Sequence, residues 1–166
     1  MTINITTVML LIVLCTPLYG QRLALSFEEA DTAGISIDHL DSVYQSAVNI
    51  DTSLAVFKTE QEQDSMAAQF LQLLNDLGAF LSKHSFYWTD TVHCFNRIYF
   101  SPDGTIDYFL FNFLERAQSK KPTPERQERF KTLLNRFIQD YHLTLKARTR
   151  FVQCGSSTNL PTKTNE

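Results

Sequence analysis

Apolar side chains recur along this chain with two different periods, and the change of period marks its elements. From Thr59 onward Met66, Phe70, Leu73, Leu74, Leu77, Phe80 and Leu81 fall on one helical face. Thr59 and Glu62 form a capping box ahead of that face. Lys83 and His84 stand at its end, where cations suit the helix dipole. A second helix begins where Thr123 can cap and Pro124 can occupy the first turn, and its face is Phe130, Leu133, Leu134, Phe137, Ile138 and Tyr141. A shorter stripe of Ile37, Leu40, Val43, Tyr44, Ala47 and Val48 follows Ser36 and predicts a leading helix over 36–49.

Between the two main helices the pattern turns to β. Val92–Phe100 and Thr105–Leu114 are dense in β-branched and aromatic residues and flank Ser101-Pro-Asp-Gly104, which predicts a hairpin. Pro102 presets φ, Asp103 suits the next turn position, and Gly104 accepts φ > 0 in a bulge. Setting Ser101 opposite Thr105 pairs Phe100 with Ile106, Ile98 with Tyr108, Asn96 with Leu110 and Cys94 with Asn112. Both hairpin faces are then strongly apolar. One carries Val92, Cys94, Ile98, Phe100, Ile106, Tyr108 and Leu110; the other carries Phe95, Tyr99, Phe109, Phe111 and Phe113 among His93, Arg97 and Asp107. Either helices cover both, or one face meets a partner; the leading helix is available as a cover.

Ser53–Phe57 reads as a brief buried strand and Ala147–Cys154 as a closing one, giving the order strand, helix, strand, strand, helix, strand. This is the split β-α-β order of ferredoxin-like domains (βαββαβ). The predicted class is α+β: an antiparallel sheet with two main amphipathic helices and an additional N-terminal helix. Residues 21–35 form a loop or an edge strand, 36–154 a single domain, and 155–166 a polar disordered tail. A right-handed crossover lays the closing strand antiparallel to Val92–Phe100. That geometry brings Cys94 and Cys154 to one end of the sheet and predicts a disulfide between them.

The first twenty residues carry no charge and hold the apolar run Val8–Leu14 before Leu18-Tyr-Gly20. This predicts a signal peptide at 1–20, cut after Gly20, no membrane span after cleavage, and a secreted or periplasmic location. The two remaining cysteines suit that compartment.

Arg97-Ile-Tyr-Phe-Ser-Pro-Asp-Gly-Thr-Ile-Asp-Tyr-Phe-Leu-Phe-Asn-Phe113, with the closing Phe151-Val-Gln-Cys154, resembles small secreted proteins of Gram-negative bacteria that carry no assigned chemistry. The hairpin, helix and strand also resemble, at fold level, the C-terminal domain of TonB-type energy transducers. This chain lacks the Tyr-Pro before the hairpin, the Trp-containing helix end and the proline-rich spacer of that family. The resemblance implies location and fold and supplies no catalytic residue.

Candidate chemistry is sparse. His39, His84, His93 and His142 share no metal-ligand spacing. His93 and Cys94 are adjacent in a strand and point to opposite faces, which disfavours a thiolate dyad. Asp103 and Asp107 lack the alternating ligands of a calcium loop. No hydrolase elbow, phosphate loop or dinucleotide fingerprint is present, and no cofactor is expected. Charge is divided unevenly: Gln21–Asp90 holds 3 basic and 11 acidic residues, a net of −8, whereas Arg116–Arg150 holds 10 basic and 3 acidic, a net of +7. Either the acidic helix neutralises the basic one, or Arg116, Lys120, Lys121, Arg126, Arg129 and Arg136 form a patch for an anionic partner. Nucleic acid does not suit an exported chain of net charge −3. The reading is a non-enzymatic binding protein of the cell envelope, taking a protein or an anionic envelope component. The alternative is a small-ligand binder or hydrolase with a pocket at His93, Arg97 and Tyr99.

Overall fold

Five strands in one sheet and four α-helices make up the computed structural model, which describes residues 22–116 and 119–161. Strand β1 (Leu23–Ser26) leads through α1 (Phe27–Thr32) and α2 (Ile37–Val43) to a two-residue strand, β2 (Gln45–Ser46). Helix α3 (Glu60–Lys83) precedes the hairpin strands β3 (Val92–Phe100) and β4 (Ile106–Leu114), then come α4 (Pro124–Asp140) and β5 (Phe151–Asn159). The predicted signal peptide lies outside the described residues.

The class is α+β, with a five-stranded mixed sheet in the order β1-β4-β3-β5-β2. The antiparallel ferredoxin-like arrangement is not what forms. β1 runs parallel to β4 and β2 parallel to β5, while β3 pairs antiparallel with both β4 and β5. Ser53–Phe57, expected as the first strand, holds only a single 3-10 turn at Thr52–Leu54, capped by Asp51. The position beside β5 belongs to Gln45–Ser46, whose neighbours take up the amides of Val56 (2.9 Å to the Ser46 carbonyl) and Phe57 (3.1 Å to the Ala47 carbonyl). The leading helix ends at Val43, not Asn49, because Tyr44 is already extended and starts the run into β2. Residues 22–35 are part of the domain: Ala24 is wholly buried, with both its main-chain groups bonded to the Asn135 amide at 2.9 Å.

The two long helices follow their sequence signals. Thr59 and Glu62 close the capping box of α3, and Thr123 caps α4 with Pro124 behind it. Their apolar faces, Met66–Leu81 and Phe130–Ile138, cover one side of the sheet.

Asp107 decides which hairpin residues they cover. Phe100 pairs with Ile106 as expected, but Tyr99 pairs with Tyr108, so Asp107 is an extra residue in a β-bulge. Its carboxylate accepts from Ser101 Oγ at 2.8 and 2.9 Å and from the Tyr44 hydroxyl at 2.8 Å. Beyond the bulge every partner moves by one: Ile98 faces Phe109, Asn96 faces Phe111 and Cys94 faces Phe113. Phe109, Phe111 and Phe113 thereby join Ile98 and Phe100 under α3 and α4. At roughly 1.5–3 kcal/mol for each phenyl ring buried, that placement outweighs the cost of one irregular pair. The opposite face keeps Tyr99, Tyr108, Leu110 and Val152, covered by Ala30 of α1, Leu40 of α2 and Tyr44. Both faces are therefore covered by the chain itself.

The closing strand lies antiparallel to β3 as expected, but in a different register and for longer. It begins at Phe151 and continues to Asn159, so Gly155–Asn159 are strand and not tail. Cys94 faces Ser157, and Cys154 faces Arg97. A three-residue offset is odd, so the two thiols lie on opposite faces of the sheet. Cys94 belongs to the core under the helices and Cys154 to the other layer; both are free. The predicted disulfide does not form.

Candidate functional site

Two places gather the polar residues singled out from the sequence. The first is the sheet face under α2. Arg97 and Tyr99 are two apart on β3 and share that face. Arg97 Nε donates to the Tyr99 hydroxyl at 2.8 Å, the hydroxyl donates to Asp41 Oδ1 at 3.0 Å, and the guanidinium pairs with Asp41 Oδ2. Burial opposes the Arg97 charge, but its bonds to Asp41 and Tyr99 outweigh that and raise its pKa. Burial raises the Tyr99 hydroxyl as well. The half-buried Cys154 thiol sits in the same layer; burial raises it and the Arg97 charge offsets only part of the rise. An opening of about 410 Å³ is lined here by Asp41, Tyr44, Arg97 and Cys154. Its charge is internally balanced and its thiol protonated at neutral pH, so the cluster works as a clamp of α2 onto β3.

His93 does not join it. The ring bonds to Thr158 Oγ1 at 2.9 Å, a cross-strand pair four residues from Arg97, or roughly 13 Å along the strand. The three residues of the proposed hydrolase pocket do not converge. Cys94, the other nucleophile, is pushed up to about 12 by burial.

The second place is an open cleft of about 910 Å³ where α3 hands over to β3. Its floor is Ser85–Thr89, its wall is Thr123, Glu125, Arg126 and Arg129 from the start of α4, and Pro161 closes one side. Helix ends leave carbonyls without partners. Here α3 stops at His84 and Ser85 turns left-handed at φ 54°, and Arg129 of α4 donates to the carbonyls of Ser85 (3.0 Å) and His84 (3.3 Å). Arg126 donates to the Tyr87 carbonyl and stacks over Phe86, its guanidinium carbon 5.7 Å from the ring centre. Trp88, the single tryptophan of the chain, packs on Phe86, Phe113 and Phe130 with ring centres 4.9, 5.7 and 5.4 Å apart. The arginines are thus held in fixed poses with part of their donor capacity engaged.

Of the other basic residues expected to form a patch, none lines this cleft. Lys120 is 3.9 Å from Asp90. Arg116 forms an isolated bridge with Ser119. Lys121 is exposed, and so is Arg136, seven residues beyond Arg129 on α4. Neutralisation of α3 by α4 is not the pattern: among the described residues the ion pairs of α4 join Lys131 to Glu29 of α1 and to Glu128 at 2.7 Å. Asp41, Tyr44, Asp107 and Tyr87 escaped sequence reasoning. For Asp107 the signal was a carboxylate among apolar residues one position into the second hairpin strand, where a bulge can re-aim a side chain.

Compared with protein-family models, curated proteins and solved structures, the chain matches none.

Proposed function

We propose that the protein is a non-enzymatic binding domain, exported to the periplasm or beyond, that engages an anionic component of the cell envelope through the Ser85–Arg129 cleft. The observation that carries this reading is the cleft's construction. Two guanidinium groups are bonded to main-chain carbonyls, that of Arg126 also stacked on Phe86, beside Tyr87 and Trp88. Preorganised arginines next to aromatic faces suit carboxylate- or phosphate-bearing polymers, because little side-chain entropy is lost on binding. With no bridge between them, the cysteines no longer bear on compartment; export rests on the apolar run Val8–Leu14. Among the described residues no helix is long and apolar enough to cross a membrane.

Trp88 lines the cleft, so its emission serves as the readout. Anionic vesicles, an acidic polysaccharide and a neutral polysaccharide are titrated while its emission is followed. A saturable change with one anionic probe, weakened by salt and lost in Arg126→Gln/Arg129→Gln protein that keeps its circular dichroism, supports the reading. Equal responses to the acidic and neutral polymers, or no response to any, reject it.

A further inference from the structure

The two edges of the sheet are finished differently. At the β1 edge, Asn135 bonds both main-chain groups of Ala24, and Gln139 donates to the Arg22 carbonyl at 3.3 Å. At the other edge β2 protects only the start of β5: Gln45 donates to the Arg150 carbonyl at 3.1 Å and Ala47 to that of Val152 at 2.8 Å. Main-chain groups alternate along a strand, so those of Cys154, Ser156 and Thr158 project from this same edge. Among the described residues only the Gln153 side chain hydrogen-bonds to them, donating to the Cys154 carbonyl at 3.0 Å. Gln153–Asn159 contains no charge and no proline, the devices that normally blunt an open edge.

A second layer is open beside it. Ala67, Leu71, Leu74 and Gly78 form one stripe of α3 at helical spacing, and Leu71 is 61% exposed. This flank faces the β5 edge: Phe70 lies against Gly155, and Leu74 and Gly78 border a hollow with Ser157 and Asn159. The opposite flank is the one engaged by α4, through Phe80 on Phe137 and Asp76 on Tyr141.

We infer that β5 and the Ala67–Gly78 stripe of α3 form a homodimer interface, two copies joining antiparallel at β5 into one continuous sheet. Centring the pair on Ser156 sets it against the partner's Ser156 and sets Cys154 against the partner's Thr158. All three positions are of the hydrogen-bonded kind, giving about six main-chain bonds. A second copy is the fitting occupant because both layers are open together. An extended peptide would complete the strand edge but leave the helix stripe in water. A second copy brings its own stripe at the same height, and small residues let two helices approach to about 8–10 Å. The uncharged edge also meets itself without repulsion.

Sedimentation of the full chain in reductant, from micromolar to high micromolar concentration, tests this. Ser156→Pro removes an outward N–H at an edge where proline is tolerated, and Leu71→Glu charges the stripe at an exposed site. The expected result is a wild-type dimer weakened at least about ten-fold by each change, with circular dichroism preserved. In the wild type, the amides of Cys154, Ser156 and Thr158 gain hydrogen-exchange protection as concentration rises. A monomer throughout the range overturns the inference, as does a dimer indifferent to either substitution or one whose β5 amides stay unprotected.

Discussion

Gly104 sits where two independent demands meet, and replacing it with alanine separates them. Its φ is +86°, and a Cβ placed there would stand 2.5 Å from the Leu143 carbonyl oxygen and 3.0 Å from that of Leu145. The left-handed conformation costs an alanine about 1–2 kcal/mol. The clash adds about 1–3 kcal/mol, because the obstructing atoms are main chain and tied down. Leu143 donates to the Gly104 carbonyl at 2.9 Å and Ala147 to that of Pro102 at 2.9 Å, so the 143–147 segment cannot withdraw without losing bonds. Set against the unfolded-state gain of about 0.4–1 kcal/mol, Gly104→Ala should destabilise by about 1–4.6 kcal/mol, a fall in Tm of roughly 2–18 °C for a chain of this size. Gly34 is the control: its φ is +75° but nothing lies within 4 Å of the added carbon. Gly34→Ala carries only the conformational cost, and the unfolded-state gain of about 0.4–1 kcal/mol is common to both and cancels in the comparison. Urea unfolding followed by Trp88 emission measures each. If Gly104→Ala costs no more than Gly34→Ala, the docking of the hairpin turn on 143–147 is wrong.

Four further outcomes follow from the geometry. A double-mutant cycle between Asp41→Asn and Arg97→Gln should give a coupling of about 1 kcal/mol, the modest value expected when one partner is 37% exposed; a coupling near zero would remove the clamp from α2. Thiol titration in denaturant should return the same count with and without reductant, and a count higher by two with reductant would restore the bridge. In the folded protein Cys94 should resist alkylation at neutral pH. Because its folded pKa is raised from 9.0 to about 12, its contribution to stability is complete below about 9 and is lost as pH climbs toward 12, measurable as a falling urea midpoint. Thr59→Ala removes one arm of the α3 capping box, whose bond to the Glu62 amide is 3.2 Å. The expected cost is about 1 kcal/mol, read from the same unfolding curves.

The wall of the cleft was legible piece by piece but not as a site. Arg126 and Arg129 were visible as basic residues on a capped helix, and Phe86 and Trp88 as a connection into the hairpin. That Arg129 takes up the carbonyls of His84 and Ser85 just beyond α3, and Arg126 that of Tyr87, depends on where α4 packs, which no spacing along the chain encodes. Arg97 and Tyr99 were rightly placed on one face, yet the partner that balances them, Asp41, comes from a helix 56 residues away.

What the sequence determined by itself was whatever depends on neighbours within a few turns. The faces and caps of α3 and α4, the Pro-Asp-Gly turn and the first pair Phe100–Ile106 are set by local torsions, side-chain periodicity and capping bonds. Everything beyond Asp107 was decided by tertiary structure. A strand offers the same alternation in any register, so the shift at the bulge is chosen by burial of Phe109, Phe111 and Phe113 under two helices. The same freedom carried β5 three residues past its expected register and sent Cys94 and Cys154 to opposite faces. It also let a two-residue segment, Gln45–Ser46, pair beside β5, while Ser53–Phe57, expected as a strand, forms none.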